Sequence, residues 1–223
     1  MKNNYNNNVS PYVIKRLPRY YRFLGDLIDE GKTKISSKEL SERMGLTASQ
    51  IRQDLNCFGG FGQQGYGYNV EVLRDEIAEI IGVKKVNKVI IIGAGNVGQA
   101  ICDDISFEKR GCMLTGIFDR DAALKGRIVR AGQGNTHVIH SMADLPRFCK
   151  ENKPNIAVLC IPKSGALAVC EELIELGVKS FWNFTHFDIS LHYKDKEDVN
   201  VENVHLGDSL LTLVYNLNRT KSL

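Results

Sequence analysis

The sequence predicts an α/β protein with an N-terminal winged helix-turn-helix domain, a Rossmann-like doubly wound parallel sheet and a C-terminal helix. Two capping boxes within residues 36–50 predict two short helices joined by a tight turn. An apolar run that ends in Gly-x-Gly-x-x-Gly at residues 93–98 predicts a strand, a glycine turn and a helix. The expected domains are residues 1–84, 85–203 and 204–223.

Length and composition fit a globular protein with a substantial core. The chain has 223 residues, of which 43% are hydrophobic and 25% are charged. No apolar run approaches the roughly 20 residues that cross a bilayer, and the start of the chain is polar, so we expect a cytoplasmic protein without a membrane partner. The 6 cysteines form no Cys-x-x-Cys pair. This favours reduced thiols over disulfides or zinc ligands.

The net charge of +3 is unevenly distributed along the chain. Residues 1–70 carry ten Lys and Arg against six Asp and Glu, whereas residues 71–223 carry nineteen against twenty. The basic excess at the front of the chain favours a polyanionic partner. An ordinary solvated surface explains this excess nearly as well, so the local pattern has to decide.

Three successive helices are predicted in the N-terminal domain. Apolar residues recur at helical spacing over residues 13–28, which predicts an amphipathic helix that bends near Pro18. Ser36 and Glu39 form a capping box for a second, short helix that ends at Gly45. The third helix begins only two residues later.

This third helix is the candidate recognition helix. Thr47 and Gln50 form its capping box, and Ile51 and Leu55 share its apolar face. The opposite face carries donors that suit base edges and phosphates of a major groove, although any solvated helix face is the alternative. The candidate DNA contacts are Thr47, Ser49, Gln50, Arg52 and Gln53.

Glycines alternate with aromatic and amide residues over residues 58–68, which favours the DNA interpretation. Such a stretch predicts a short β-hairpin wing whose tip approaches a minor groove or phosphates closely. A short helix is then predicted over residues 72–81, ending at Gly82, with a linker over residues 84–88.

The glycine motif is Gly93-Ala94-Gly95-Asn96-Val97-Gly98. Its glycines permit a tight turn, close approach of the backbone to a pyrophosphate and packing of the following helix, whose N-terminus offers N–H groups to the anion. Asp119 closes a second apolar run 21 residues after Gly98. A carboxylate there hydrogen-bonds ribose hydroxyls and repels a 2′-phosphate, so we expect NAD(H) rather than NADP(H). A purely structural glycine turn is the alternative.

The rest of the sheet is predicted from a polar, glycine-rich stretch after Asp119, a helix near residues 141–151, a strand at 155–161, a helix at 164–176 and a strand at 179–184. This βαβαβαβ order calls for a parallel sheet with its ligand at the carboxyl ends of the strands. Further cofactor candidates at those ends are Arg120, Ile161, Pro162, Asn183 and Phe184.

An apolar stripe marks the terminal helix. Its members are Leu206, Leu210, Leu213, Val214 and Leu217. Such a helix needs a partner, which is either its own sheet or a second subunit. Because helix-turn-helix proteins are commonly two-fold dimers, the second alternative predicts a homodimer on a palindromic operator.

The whole arrangement resembles the Rex family of redox-sensing transcriptional repressors, and the resemblance covers nearly the whole chain. The motifs that carry it are Ile51-Arg52-Gln53-Asp54-Leu55, Phe58-Gly59-Gly60-Phe61-Gly62, Gly65-Tyr66-Gly67-Tyr68 and the glycine motif. The resemblance implies a repressor, not an enzyme, that binds double-stranded operator DNA and leaves it when NADH rises.

The resemblance also implies residue roles. Arg52 and Gln53 read bases or phosphates, and the terminal helix is swapped between the subunits of a homodimer. The wing tip that enters the minor groove comprises Gln64, Gly65, Tyr66 and Gly67. NADH can release DNA only by binding the splayed dimer better than the DNA-bound one.

The sequence departs from the family pattern at three positions. Gln53 stands where a lysine is usual, and Asp104 stands where a tyrosine commonly lies near the nicotinamide. Arg16 commonly meets an aspartate of a C-terminal Asn-Val-Asp segment, in which this chain has His205. Arg16, Asp104 and His205 are therefore the predicted switch residues, and we expect retained DNA binding with a weak or altered nucleotide response.

An NAD-dependent oxidoreductase is the alternative from another class, because the same fold hosts hydride chemistry. Nearly all of the chain after the glycine motif is needed to finish the sheet, and no Tyr-x-x-x-Lys pair occurs. His186 is a lone acid-base candidate, and His137 with His140 is a weak metal candidate. We therefore predict neither catalytic nor metal-binding residues.

Overall fold

A computed structural model of the protein describes residues 9–59, 61 and 67–220. The chain folds as two compact units that divide between Lys84 and Lys85. No helix in the described part is long and apolar enough to cross a membrane.

The first unit is mainly helical. Its elements are α1 (Pro11–Asp29), β1 (Lys34–Ile35), α2 (Ser37–Met44), α3 (Ala48–Asn56), β2 (Tyr68–Asn69) and α4 (Val70–Ile81). Strands β1 and β2 pair antiparallel, with Ile35 opposite Tyr68. The apolar faces of the four helices enclose one core, in which Leu17, Leu40 and Ile51 are fully or almost fully buried. Helix α1 continues through Pro18, and the side chain of Pro18 is exposed to solvent.

The capping box of α2 is formed as predicted, whereas only one of the two predicted bonds is formed at the start of α3. Ser36 and Glu39 make both bonds of the capping box, with Glu39 N donating to Ser36 Oγ at 3.1 Å. Gly45 ends α2 in the left-handed conformation, with φ of 61°. Thr47 Oγ1 accepts from Gln50 N at 3.1 Å, but the side chain of Gln50 turns away from the cap. The second capping box was therefore predicted wrongly in its return bond.

The second unit is a sheet covered by helices. Its elements are β3 (Asn87–Ile92), α5 (Asn96–Asp104), β4 (Cys112–Asp119), β5 (Ile128–Ala131), β6 (Asn135–Ser141), α6 (Leu145–Asn152), β7 (Ile156–Leu159), α7 (Lys163–Glu175), β8 (Ser180–Asn183), α8 (Ile189–His192), β9 (Asn200–Asn203) and α9 (Leu206–Thr220).

The described strands of this unit lie in the order β5-β6-β4-β3-β7-β8-β9. Neighbours pair parallel, except that β5 pairs antiparallel with β6 at the edge. The chain starts at central β3, builds outward on one side and then returns to build on the other. The change of direction lies between β3 and β7, which confirms the predicted doubly wound sheet.

Strands β5, β6 and β9 were missed by the sequence analysis. The stretch after Asp119 was expected to be irregular, but β6 occupies the third parallel position on that side, next to β4. Its only fully buried side chain is Ile139, so it lacks the alternation that identifies a half-buried strand. Gly126 before β5 and Gly132 and Gly134 between β5 and β6 also favoured the prediction of a loop.

Alternate residues of β3 fill two separate cores. Ile90 and Ile92 pack on the side of α6 and α7, whereas Val89 and Ile91 pack with Ile101 on the side of α5. Burial on both faces explains the unbroken apolar run, which is typical of a parallel strand.

The terminal helix α9 is unlike the other helices. Residues 206–219 are all exposed, although the helix carries an apolar stripe. Leu210 is 61% exposed and Leu213 is 63% exposed. The side chains of the stripe are therefore largely exposed in the described part of the chain.

Candidate nucleotide-binding and DNA-binding sites

Two glycines of the motif are required by packing. Gly93 has φ of +99°, and a Cβ atom there would lie 2.4 Å from the carbonyl oxygen of Cys160. A Cβ at Gly98 would lie 2.0 Å from the carbonyl oxygen of Gly93. The turn therefore tolerates no side chain at either position.

The middle glycine is different. A Cβ at Gly95 would have no described atom within 4 Å. Gly95, Asn96 and Val97 are exposed at the start of α5, where backbone N–H groups have no partner within the helix. This helix N-terminus can therefore accept an anion at close range.

Asp119 ties the end of β4 to the glycine turn. Its Oδ2 accepts from Ala94 N at 2.7 Å, and its Oδ1 accepts from Asp121 N at 2.8 Å. These two bonds fix the carboxylate, and its remaining lone pairs can accept from two ribose hydroxyls.

A cavity of about 340 Å³ lies beside this carboxylate. The predicted residues that line it are Gly93, Gly95, Asp119, Arg120, Ile161 and Pro162. They come from the carboxyl ends of β3, β4 and β7, on both sides of the place where the strand order reverses. Ile92, Met142, Cys160, Gly165 and Val169 complete the lining. None of these five was predicted as a cofactor contact.

Asn183 is not among the residues that line this cavity, and its role as a cofactor contact stays a prediction. The residue is fully buried, and its Nδ2 donates to the carbonyl of Phe187 at 2.7 Å and to Asn203 Oδ1 at 2.8 Å. Its Oδ1 accepts from Thr185 N and Thr185 Oγ1. Asn183 therefore fastens the ends of β8 and β9 to the following loop. Phe184 packs edge-on against Trp182, with ring centroids 4.8 Å apart, and also lies outside the lining.

The recognition helix α3 has an exposed polar face. Ser49, Arg52 and Gln53 are exposed, and Thr47 caps the helix at its start. Arg52 NH1 donates to Ser37 Oγ at 2.9 Å, which places the guanidinium beside the start of α2. These are the positions from which a helix-turn-helix reaches base edges and phosphates.

Gln50 lies at the edge of this face, and its role as a groove-reading residue stays a prediction. It is half-buried, and its Nε2 donates to Asp54 Oδ1 at 2.7 Å. Asp54 itself was not predicted as a functional residue. Its side chain is completely buried, and Arg16 Nε and Tyr20 Oη both donate to its Oδ2, at 2.6 and 2.8 Å.

The bonds to Asp54 keep its carboxylate ionised. Burial acts to raise its pKa, but hydrogen bonds from Arg16, Gln50 and Tyr20 outweigh burial, so the pKa lies below the ordinary value. The signal in the sequence was an aspartate between Ile51 and Leu55, the two apolar residues that the helix buries. A buried charge of this kind needs a partner, but spacing could not identify one 38 residues away.

The predicted wing tip lies mostly outside the described residues, namely at Gln64, Gly65 and Tyr66. Gly67 is described, with φ of +72°, and a Cβ there would lie 2.6 Å from the carbonyl oxygen of Ile35. The glycine therefore lets the chain pack closely on β1.

Each predicted switch residue has a defined setting within its own unit. Arg16 is bound by Asp54, and His205 Nε2 lies 2.8 Å from Asp188 Oδ1. Asp104 is the exposed last residue of α5, roughly 12 Å along the helix from Asn96. The meeting of Arg16 with the segment at His205 stays a prediction.

Comparison with known proteins finds matches for both units of the chain. Residues 8–56 match the family model "Putative DNA-binding protein N-terminus", and residues 84–187 match the model "CoA binding domain". The chain is 49% identical over 210 residues to the redox-sensing transcriptional repressor Rex of Clostridium perfringens (strain SM101 / Type A), covering 94% of this chain and 95% of the relative. It is 50% identical over 211 residues to the Rex of Clostridium novyi, covering 95% and 96%.

Solved structures give the same result. A crystal structure of RSP in complex with β-NAD⁺ and operator DNA has a TM-score of 0.86 and 49% identity, over 96% of this chain and 94% of RSP. RSP in complex with β-NADH has a TM-score of 0.84 and 45% identity, over 97% of both chains. Since these similarities extend over nearly the whole length, the protein belongs to the Rex family of redox-sensing transcriptional repressors.

Proposed function

We propose that this protein represses transcription by binding double-stranded operator DNA through its first unit, and that NAD(H) bound to its second unit controls that binding. One observation carries the proposal: the same chain holds an exposed recognition-helix face and a dinucleotide cavity closed by Asp119. The relative RSP, which has been crystallised with both β-NAD⁺ and operator DNA, supports it.

NAD(H) fits the residues of the cavity. The open space at Gly95 leaves room for a pyrophosphate at the start of α5, and Asp119 is fixed to receive the adenosine ribose. The cavity is hydrophobic around Ile161, which suits an apolar ring. When bound, NAD(H) supplies a nicotinamide whose charge and shape differ between the oxidised and the reduced form.

Asp119 also argues against phosphorylated adenosine ligands. NADP(H) carries a phosphate on the 2′-hydroxyl of this ribose, and coenzyme A carries one on the 3′-hydroxyl. A carboxylate that accepts from these hydroxyls repels a phosphate on either of them. We therefore assign the cavity to NAD(H), although the family model that matches this region is described by coenzyme A binding.

A homodimer is proposed from helix α9. Its exposed leucines form a continuous apolar surface that a second copy of the chain can cover. A two-fold dimer presents two recognition helices, which suits a palindromic operator with half-sites in successive major grooves. Deleting residues from 206 onward should produce monomers that lose operator binding. A truncated chain that still sediments as a dimer contradicts this role of α9.

A weak or altered nucleotide response is the second candidate, and two contacts favour it. Arg16 is held by Asp54 within the first unit, and His205 is held by Asp188 within the second. The family resemblance implies a pair between Arg16 and an aspartate at the position of His205, and neither contact is that pair. The coupling between effector and DNA is typically about 1–3 kcal/mol, so one lost ion pair can remove much of it.

The decisive experiment is a titration of a palindromic operator without nucleotide, with saturating NAD⁺ and with saturating NADH. We expect specific binding in the absence of NADH and weaker binding in its presence, in the cytoplasmic range of salt. Absence of specific binding under all three conditions contradicts the proposed function. Equal affinity under all three supports the second candidate.

A further inference from the structure

The carboxylate of Asp54 joins three other side chains into one cluster between α1 and the recognition helix. We call Asp54, Arg16, Tyr20 and Gln50 the Asp54 cluster. Arg16 donates through Nε at 2.6 Å and through NH2 at 2.7 Å, one bond to each carboxylate oxygen. Tyr20 Oη donates at 2.8 Å and Gln50 Nε2 at 2.7 Å. Each oxygen therefore accepts two bonds, and the buried charge is fully satisfied.

The cluster joins one ridge of each helix. Arg16 and Tyr20 are four residues apart on α1, and Gln50 and Asp54 are four residues apart on α3, so each pair lies on one side of its helix. The bidentate Arg16 contact also fixes direction, since a guanidinium donates two parallel hydrogen bonds to a carboxylate only when the two groups lie in one plane. The cluster therefore determines how α3 is rotated and tilted on α1.

Gln50 is drawn to the edge of the recognition surface by the same carboxylate. At roughly 100° per residue, Ser49, Arg52 and Gln53 surround the centre of the exposed face, whereas Gln50 lies roughly 110° from that centre. It is half-buried on the side of Asp54, and the other three are exposed. A glutamine that reads adenine must aim both its amide nitrogen and its oxygen at the base edge.

We infer that Asp54 is a positioning residue for operator recognition: it sets the angle of α3 on α1 through Arg16 and Tyr20, and it keeps Gln50 out of base reading. Ser49, Arg52 and Gln53 then carry the sequence preference of the helix. This inference rests on the proposed function, because it assumes that α3 reads DNA.

The first test compares two glutamine variants of the full-length protein, without nucleotide, on an operator and on a panel of operators with single base-pair changes. Gln50→Ala also removes one donor to Asp54, so it is expected to lower affinity for the operator two- to fivefold without flattening the preference at any single base-pair position. Gln53→Ala, the matched control on the exposed face, is expected to flatten the preference at one position or more. A flattened preference in Gln50→Ala overturns the exclusion of Gln50.

The second test examines Asp54 through the ratio of operator affinity to random-DNA affinity. Asp54→Asn is expected to lower this ratio at least tenfold while changing random-DNA affinity less than twofold. A purely structural role lowers both affinities alike through the unfolded fraction, which circular dichroism and thermal unfolding measure. An unchanged ratio overturns the positioning role, and so does an equal loss of both affinities.

Tyr20→Phe keeps the test decisive if Asp54→Asn does not fold. It removes one of the four donors and changes neither charge nor ring packing, so we expect a two- to fivefold lower ratio in a folded protein. An unchanged ratio in folded Tyr20→Phe contradicts the inference. Failure of the proposed function has a different outcome: the wild type itself then shows no preference for any operator.

Discussion

The glycine turn of the second unit and the recognition helix of the first are built by different means. At the turn, a contiguous motif carries the requirement: a Cβ at Gly98 would lie 2.0 Å from the carbonyl oxygen of Gly93, five residues earlier, and the φ of +99° at Gly93 favours glycine before its packing on Cys160 is considered. At the recognition helix, a carboxylate buried on the inner face is neutralised by Arg16, 38 residues earlier in the chain. Local chemistry therefore identifies the first site, and only the folded unit reveals the second.

Two alanine substitutions in the glycine turn test this comparison. The first has the largest expected effect on stability and nucleotide binding. Gly98→Ala places a methyl group 2.0 Å from the carbonyl oxygen of Gly93, so we expect it to lower the free energy of unfolding by about 3 kcal/mol and to abolish NAD(H) binding. Thermal unfolding and calorimetry measure the two effects.

Gly95→Ala is the matched control, because its added methyl group meets no described atom within 4 Å. We expect unchanged stability and weaker NAD(H) binding, since the methyl group points into the space that a pyrophosphate needs. Full NAD(H) affinity in Gly95→Ala shows that the nucleotide does not approach the turn.

The recognition helix is tested by Arg52→Ala. If Arg52 reads a base, the variant loses about 1–3 kcal/mol on the operator and its preference at one position flattens. If Arg52 contacts only phosphate, affinity falls for all sequences and the salt slope decreases by about one. Ser37→Ala removes only the hydroxyl that Arg52 contacts at 2.9 Å and should have the smaller effect. Unchanged binding of Arg52→Ala to every DNA refutes the assignment of α3.

The features that could be predicted from the sequence are those that a short, contiguous motif encodes. The strand before Gly93, the helix after it and the acid at Asp119 follow from a motif whose parts are close in sequence, and all are found. Strand β6 was missed because it shows only one fully buried side chain, and its place in the sheet comes from pairing with β4. Gln50 was assigned to the DNA face because helical periodicity does not show that the side chain of Asp54 is buried and accepts a hydrogen bond from Gln50.

Asp119 provides a sharper test of the nucleotide site. We expect the unmodified protein to bind NADH more tightly than NADPH, and Asp119→Ala to reduce that difference by about tenfold, or about 1.4 kcal/mol. Asp119→Asn removes the charge and keeps the size of the side chain, but its single amide oxygen can replace only one of the two acceptors, the one for Ala94 N or the one for Asp121 N. Calorimetry with NAD⁺, NADH, NADP⁺ and NADPH decides the matter. Equal affinities of the unmodified protein for NADH and NADPH show that Asp119 does not face the ribose.

The smallest expected effect on stability concerns His205. His205→Asp places a second carboxylate beside Asp188, where the imidazole now lies 2.8 Å away, and the repulsion should cost about 0–1 kcal/mol because both side chains are partly exposed. The double variant with Asp188→Asn removes this repulsion and presents one carboxylate in the C-terminal segment. If Arg16 meets that segment, the double variant gains an ion pair that the unmodified chain lacks.

We therefore expect weak NADH-driven release from the operator in the unmodified protein and stronger release in the His205→Asp, Asp188→Asn variant. Addition of Asp104→Tyr should strengthen it further. The measurement is operator affinity without ligand, with saturating NAD⁺ and with saturating NADH for each variant. A gain in release requires Arg16 to leave Asp54 and to pair with the new carboxylate. A lysine cannot make a bidentate contact with that carboxylate, so the gain should disappear in Arg16→Lys. Strong release by the unmodified protein shows instead that the switch does not depend on an aspartate at position 205.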